Sequence, residues 1–264
     1  MTITLIIPFY NSEKWLERCL DSINAQTVPF DALIFIDDGS TDKGREIVSS
    51  YFFDKEWTIC ENEKNCGVGY SRNVGLSAAK TDYVTFLDAD DELTPDACME
   101  MRKAIEKHPE ANIIQFNHWR KYEAIDQMRM KHKEDTAFIT LDAMPERPLA
   151  WFAVWNKVYK LDMLKKHNIT FDESMDWGED EIFNLRAILA NGSIRCEKVA
   201  TCIRHFDNKQ SLNHINRDRK HAMILIEKLK ELAETCDPVG KGIVADEIAH
   251  RTRLMDAQKE QANE

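Results

Sequence analysis

Apolar positions fall into short blocks divided by polar turns, and the spacing inside each block predicts an element. Ile3 to Ile7 is a continuous apolar run closed by Pro8, the pattern of a buried strand. After Ser12, the residues Trp15, Leu16, Cys19, Leu20 and Ile23 recur at helical intervals, predicting a capped amphipathic helix that ends near Gln26. Ala32 to Ile36 reads as a second strand, Thr41 opens a helix to about Phe53, and Trp57 to Cys60 is a third strand. Gly69 to Lys80 is a third helix, leading into a strand from Tyr83 to Leu87. Strands alternating with helices at this spacing predict βαβ units and an α/β fold with a mainly parallel central sheet flanked by helices. In such a sheet a ligand lies beyond the carboxyl ends of the strands.

The second half is less regular. Ala111 to Phe116 reads as a strand, Trp119 to Phe138 is a charged insertion without an assigned element, and Trp151 to His167 reads as partly helical around Trp155 to Tyr159. Glu179 and Asp180 open an amphipathic helix with Ile182, Phe183, Leu185, Ile188 and Leu189 inward. Ile194 to His205 reads as a strand with His205 near its exit. From Asn216 the chain is charged and helical, and Ala222, Leu225, Ile226, Leu229, Leu232 and Ala233 share one face. We therefore divide the chain into an α/β domain over 1–212 and a C-terminal helical extension over 213–264. Packing onto the domain is the expected fate of that face, ahead of a homodimer or peripheral membrane contact. Asp256 to Glu264 is expected to fray.

Three polar clusters sit at strand ends and should face one crevice: Pro8-Phe9-Tyr10-Asn11, Asp37-Asp38-Gly39-Ser40 and Asp88-Ala89-Asp90-Asp91. In the last, an apolar strand runs straight into three carboxylates. Like charges this close are tolerated when a cation neutralises them, and Asp88 with Asp90 suits a hard divalent ion. The bland reading is an acidic turn before a helix, with Asp91 and Thr94 near its N-cap and Pro95 in its first turn. A fourth stretch, Asn65 to Gly75, sets a Gly-rich turn at a helix start with Arg72 in the first turn, a good arrangement for an anion. It lacks the third glycine of a dinucleotide fingerprint. Glu179 and Asp180 have their own bland reading as acids favouring a helix dipole, and a lone His such as His205 is more often structural than a ligand.

Composition trims the alternatives. The 264 residues allow a large core, and the seven cysteines form no CxxC pair, which fits a reducing compartment. No apolar stretch reaches membrane-spanning length and Met1-Thr2 leads directly into a strand, so we expect a soluble, cytoplasmic protein. A formal charge of -11 argues against a broad nucleic-acid surface. A local basic groove has two candidate sources: Arg120, Lys121, Arg129, Lys131 and Lys133, or the cluster from Arg217 to Lys220.

These clusters, in this order, resemble the inverting family 2 glycosyltransferases of GT-A fold, from Ile3 to about Leu212. The resemblance rests on Ile7-Pro8-Phe9-Tyr10-Asn11, Ile36-Asp37-Asp38-Gly39-Ser40-Thr41-Asp42, Asn65-x-Gly67 with Ser71-Arg72-Asn73-Val74-Gly75, Phe86-Leu87-Asp88-Ala89-Asp90-Asp91 and Gly178-Glu179-Asp180. Trp155 to Tyr159, and Arg204-His205 with Ser211, resemble the bacterial capsule and cell-wall branch. The resemblance implies a nucleotide-sugar donor, most commonly a UDP-sugar, and a Mn²⁺ or Mg²⁺ ion. It places Pro8, Tyr10 and Asn11 in the donor site, with Asp38 accepting a hydrogen bond from the base and Asp37 supporting that turn. Arg72 would lie near the base or diphosphate, and Asp88 and Ala89 by the ribose or donor sugar. Asp90 would ligate the metal, His205 would complete the metal or diphosphate site, and Asp180 would be the general base, with Glu179 its competitor.

The expected acceptor is a hydroxyl of a surface glycan, with a soluble acceptor such as a modified DNA base or a protein as the alternative. Two other classes fit less well: a nucleotidyltransferase would need a Gly-rich basic loop after the first strand, which Pro8-Phe9-Tyr10-Asn11-Ser12 lacks, and a non-catalytic sugar-nucleotide-binding module predicts damaged acids, whereas Asp38, Asp90 and Asp180 are all present.

Overall fold

The N-terminal apolar run forms β1 (Ile3–Phe9), buried along its whole length near the middle of the sheet in a computed structural model. The structure describes residues 1–51, 56–121, 139–140, 153–191, 193–206, 208 and 219–261. β1 runs through Pro8. Asp38 N donates to Phe9 O and Leu87 N to Ile6 O, so odd positions bond one neighbour and even positions the other. Pro8, which has no N–H to give, faces the side where pairing has already stopped at Ile6.

β2 (Ala32–Asp37) and β4 (Tyr83–Phe86) flank β1 in parallel, and β3 (Glu56–Glu61) adds to β2. The remaining strands are β5 (Glu92–Leu93), β6 (Ile113–Lys121), β7 (Ile139–Thr140), β8 (Lys157–Lys160) and β9 (Ser193–His205). The order is β3-β2-β1-β4-β8-β6-β9-β5, with β7 on β9. The expected parallel pairing holds from β3 to β4. Beyond it the sheet is mixed, because β8 runs antiparallel to both β4 and β6.

Alternation along β1 divides the core. Ile3, Leu5 and Ile7 pack with α1 (Glu13–Asn24) and α4 (Ala97–Lys107) on one face of the sheet. Ile6 packs on the other, with α3 (Val68–Ala78), α5 (Leu161–Lys166) and α6 (Glu179–Asn191). α2 (Gly44–Ser50) lies against α1. A third cluster joins α6 to α7 (Arg219–Thr235) and α8 (Pro238–Gln261), through Ile182, Leu185, Leu225, Leu229 and Val244. The apolar face of the C-terminal stretch is thus packed inward.

Several elements differ from expectation. Trp155 to Tyr159 is not helical: Lys157 to Lys160 is β8, whose slot between β4 and β6 overrides the local spacing. α4 is not capped by Asp91 or Thr94, and Pro95 precedes it. Asp96 is its N-cap residue, while Asp91 and Thr94 flank β5, a short strand on β9. α2 starts at Gly44 and not at Thr41, because Thr41 N donates to Asn11 Oδ1 and Lys43 N to Glu13 Oε2. Ser12 holds the N-cap position of α1 without capping it; its hydroxyl donates to Tyr10 O. Most of the 119–138 insertion, the 212/213 boundary, Ser211 and Arg217 lie outside the described residues.

Candidate active site

At the carboxyl end of β1 the chain turns sharply, with Asn11 at a φ of 46°. Asn11 N donates to Ser40 Oγ at 3.1 Å and Asn11 Oδ1 accepts from Thr41 N at 2.9 Å, stitching the β1 exit to that of β2. Asp37 Oδ1 accepts from Ser40 N at 2.8 Å and closes the second turn. Gly39 sits within that turn at a φ of 71°, and a Cβ there would lie 2.6 Å from the Lys64 backbone. Asp38 Oδ1 accepts from Asn62 Nδ2 and Cys66 N, and Oδ2 from Gly67 N, at 2.8 to 2.9 Å. Both oxygens thus anchor the Gly67 turn; since a carboxylate offers about four lone-pair sites, a base could take only what remains. Beside these turns Pro8 lies in the β1 ladder and Tyr10 projects into solvent, 44% exposed.

The β4 exit carries the acids. One ligand oxygen from each of Asp88, Asp90 and Asp91 can be chosen so that all lie within 4.8 Å of one another, the one such group among the described residues. Burial, with help from Asp88, raises the Asp90 pKa above the usual carboxylate range, and burial with Asp90 and Asp88 raises that of Asp91 well above it. An all-oxygen, mutually repelling donor set fits a hard divalent cation. Three neighbours shape this loop. Arg18 Nη2 donates to Asp90 O at 2.7 Å, Asn208 Nδ2 to Asp90 Oδ2 at 2.8 Å, and His205 N to Asp91 Oδ1 at 2.8 Å. The His205 imidazole meets Glu92 Oε1 at 2.5 Å through Nε2, so it adjoins the acid loop through its backbone and Glu92 and is not in the carboxylate group itself. Ala89 is buried between the acids.

Gly178 takes a φ of 82° and precedes α6, placing Glu179 and Asp180 at its first turn. Arg72, from α3, joins the two sides. Its Nη2 donates to Asp88 Oδ1 at 2.9 Å, and its Nη1 to Glu179 Oε1 at 2.8 Å and Asp180 Oδ1 at 2.6 Å. The guanidinium rests over Phe171, itself stacked on Phe183 at 4.0 Å. Burial opposes the Arg72 charge, but Asp180, Asp88 and Glu179 more than offset it and raise its pKa. Burial raises the Asp180 pKa well above the usual range; Arg72 pulls against it while Glu179 and Asp88 add to it. Asn184 Nδ2 holds Asp180 O, and Tyr159 Oη in turn donates to Asn184 Oδ1, both at 2.8 Å.

The structure therefore joins Asp88, Glu179 and Asp180 through Arg72, and gathers Asn11, Asp37 and Asp38 around the β2 exit. Asp91, Arg18, Asn184 and Asn208 were not singled out from sequence as site residues. Asp91 stood in the same acid run, whereas the other three carry no local signal.

A family model described as glycosyl transferase family 2 matches residues 4–168. The putative glycosyltransferase EpsH of Bacillus subtilis (strain 168) is 27% identical over 193 residues, covering 70% of this chain and 55% of EpsH. The poly(ribitol-phosphate) beta-N-acetylglucosaminyltransferase TarS of Staphylococcus aureus (strain MW2) is 28% identical over 193 residues, 72% of this chain and 33% of TarS. The chain spans roughly a third to just over half of the length of these relatives. Among solved structures, S. aureus TarS 1-349 in complex with UDP-GlcNAc aligns with a TM-score of 0.76 at 23% identity, over 97% of this chain and 70% of that one. The Pyrobaculum calidifontis mannosyltransferase PcManGT, in complex with GDP-Man and Mn²⁺, aligns with a TM-score of 0.67 at 18% identity, over 93% and 68%. These likenesses establish the GT-A fold of this chain.

Proposed function

The chain belongs to glycosyl transferase family 2, and we propose that it transfers a sugar from a nucleotide-sugar donor, a UDP-sugar, to an acceptor hydroxyl with inversion and with a divalent metal. The observation that carries this reading is the Arg72 bridge, whose one guanidinium contacts both Asp88 of the β4 acid loop and Glu179 and Asp180 in the first turn of α6. Asp88, Asp90 and Asp91 would hold Mn²⁺ or Mg²⁺, and such an ion neutralises the charge that develops on a departing nucleoside diphosphate. Pro8, Tyr10, Asn11 and the Asp37-Asp38 turn line the neighbouring strand ends and would take the nucleoside.

Asp180 would accept the proton of the attacking hydroxyl. Arg72 donates to its Oδ1, and Glu179 also lies within hydrogen-bond reach of this carboxylate. Glu179 suits the role less well: its side chain is 8% exposed against 23% for Asp180. A single displacement then inverts the anomeric centre.

TarS is named for transfer to poly(ribitol-phosphate), and a hydroxyl-rich surface glycan is the acceptor we favour for this chain. No helix among the described residues is long and apolar enough to cross a membrane. The proposal is tested by incubating UDP-GlcNAc and other nucleotide sugars with Mn²⁺ and candidate polymers, and reading released nucleotide and anomeric configuration. A retained configuration in the product would remove the single-displacement mechanism.

A further inference from the structure

The C-terminal helices touch the base-bearing turn at three points. Arg251 of α8 pairs with Glu181 through Nη2, and its Nε donates to Glu247 Oε1 at 2.9 Å. Its guanidinium carbon lies 5.6 Å from the centre of the Trp177 ring. On α7, Leu225 meets Gly178 so closely that a Cβ there would lie 3.2 Å from Leu225 Cδ1. Trp177, Gly178 and Glu181 bracket Glu179 and Asp180 in sequence, so α7 and α8 hold both ends of the turn that carries them. Glu181 and Glu247 are 2% and 5% exposed, so Arg251 is held against two buried carboxylates.

We propose that Arg251 is a positioning residue for Asp180, acting through Glu181 and Trp177, and that the C-terminal helical pair is a working part of the active site. This rests on the reading of Asp180 as the base. Arg72 binds the Asp180 carboxylate, and Arg251 binds the helix that presents it. A shift of about 1 Å in a reacting group can lower a rate by about 10²-fold. Loss of the Arg251 grip should therefore lower kcat more than it weakens donor binding, because the proposed donor site lies on the β1, β2 and β4 exits.

The experiment uses the full chain with Arg251→Met, Arg251→Lys and Glu181→Gln. Two readouts are taken: backbone hydrogen exchange of the segment over 177–184, and kcat and KM for UDP-GlcNAc hydrolysis with Mn²⁺. We expect faster exchange of that segment in Arg251→Met, with exchange of β1 and β4 unchanged. We also expect a fall in kcat of about 10- to 100-fold with KM within about threefold, and partial recovery in Arg251→Lys. Unchanged exchange over 177–184 overturns the positioning role, as does an equal loss of protection across the sheet. If Arg251→Met does not fold, Glu181→Gln decides by the same two readouts. If wild type neither binds nor cleaves a nucleotide sugar, the donor reading fails, while the exchange result still decides whether Arg251 holds the turn.

Discussion

Arg72→Met removes a single cation from three acids and keeps most of the side-chain volume. The Arg72 side chain is 4% exposed, and its partners Asp88, Glu179 and Asp180 are 28%, 8% and 23% exposed. Breaking one partner out of a buried ion group costs about 3–5 kcal/mol. In a protein of this size each kcal/mol shifts Tm by about 2–4 °C, so the expected drop is about 6–20 °C near neutral pH. Its pH dependence has a definite sign. Burial already raises the Asp180 pKa and Arg72 holds it back, so without Arg72 the folded-state value rises further above the unfolded one. A carboxyl with a raised folded pKa destabilises the protein above that pKa and ceases to do so as protons bind. The gap in Tm between wild type and Arg72→Met should thus be wider on the alkaline side and narrow as the pH falls. Differential scanning calorimetry of the metal-free proteins measures it. A gap below about 2 °C at the alkaline end, or one that widens in acid, would refute the argument.

Asp180→Asn should bind UDP-GlcNAc with Mn²⁺ as wild type does, and lose about 10² to 10⁴-fold in transfer; calorimetry and a product assay separate the two effects. Gly39→Ala should unfold at lower temperature and lose nucleotide affinity, since the added Cβ would lie 2.6 Å from the Lys64 backbone at a φ of 71°; an unchanged Tm contradicts this. Asp90 and Asp91 both have raised pKa values, so protons and metal compete for them. Mn²⁺ should therefore raise Tm by an amount that grows as pH increases through their titration, read by thermal scans at fixed Mn²⁺.

What the sequence disclosed was mostly local. The β1, β2 and β4 exits each announce themselves as an apolar run ending in Asn or Asp, and each forms where expected. Arg72 was legible as a cation at a helix start, but its partners Glu179 and Asp180 lie 107 and 108 residues away and only the fold brings them together. β8 was misread because Trp155, Val158 and Tyr159 share a helical spacing, while the gap between β4 and β6 imposes a strand. Arg251 carries no local signal on a charged helical tail. Its pairing with Glu181 depends on how α8 crosses α6, which no local pattern records.

The central claim is that the acid loop holds a divalent ion used for donor binding. The most direct measurement is calorimetric titration of UDP-GlcNAc and the corresponding GDP-sugar into wild type and Asp90→Ala, each with Mn²⁺ and with EDTA. The account predicts that wild type binds the UDP-sugar with Mn²⁺ and loses that binding in EDTA, and that Asp90→Ala loses it in both conditions. Binding by Asp90→Ala as tight as wild type in Mn²⁺, or wild-type binding unaffected by EDTA, would contradict it.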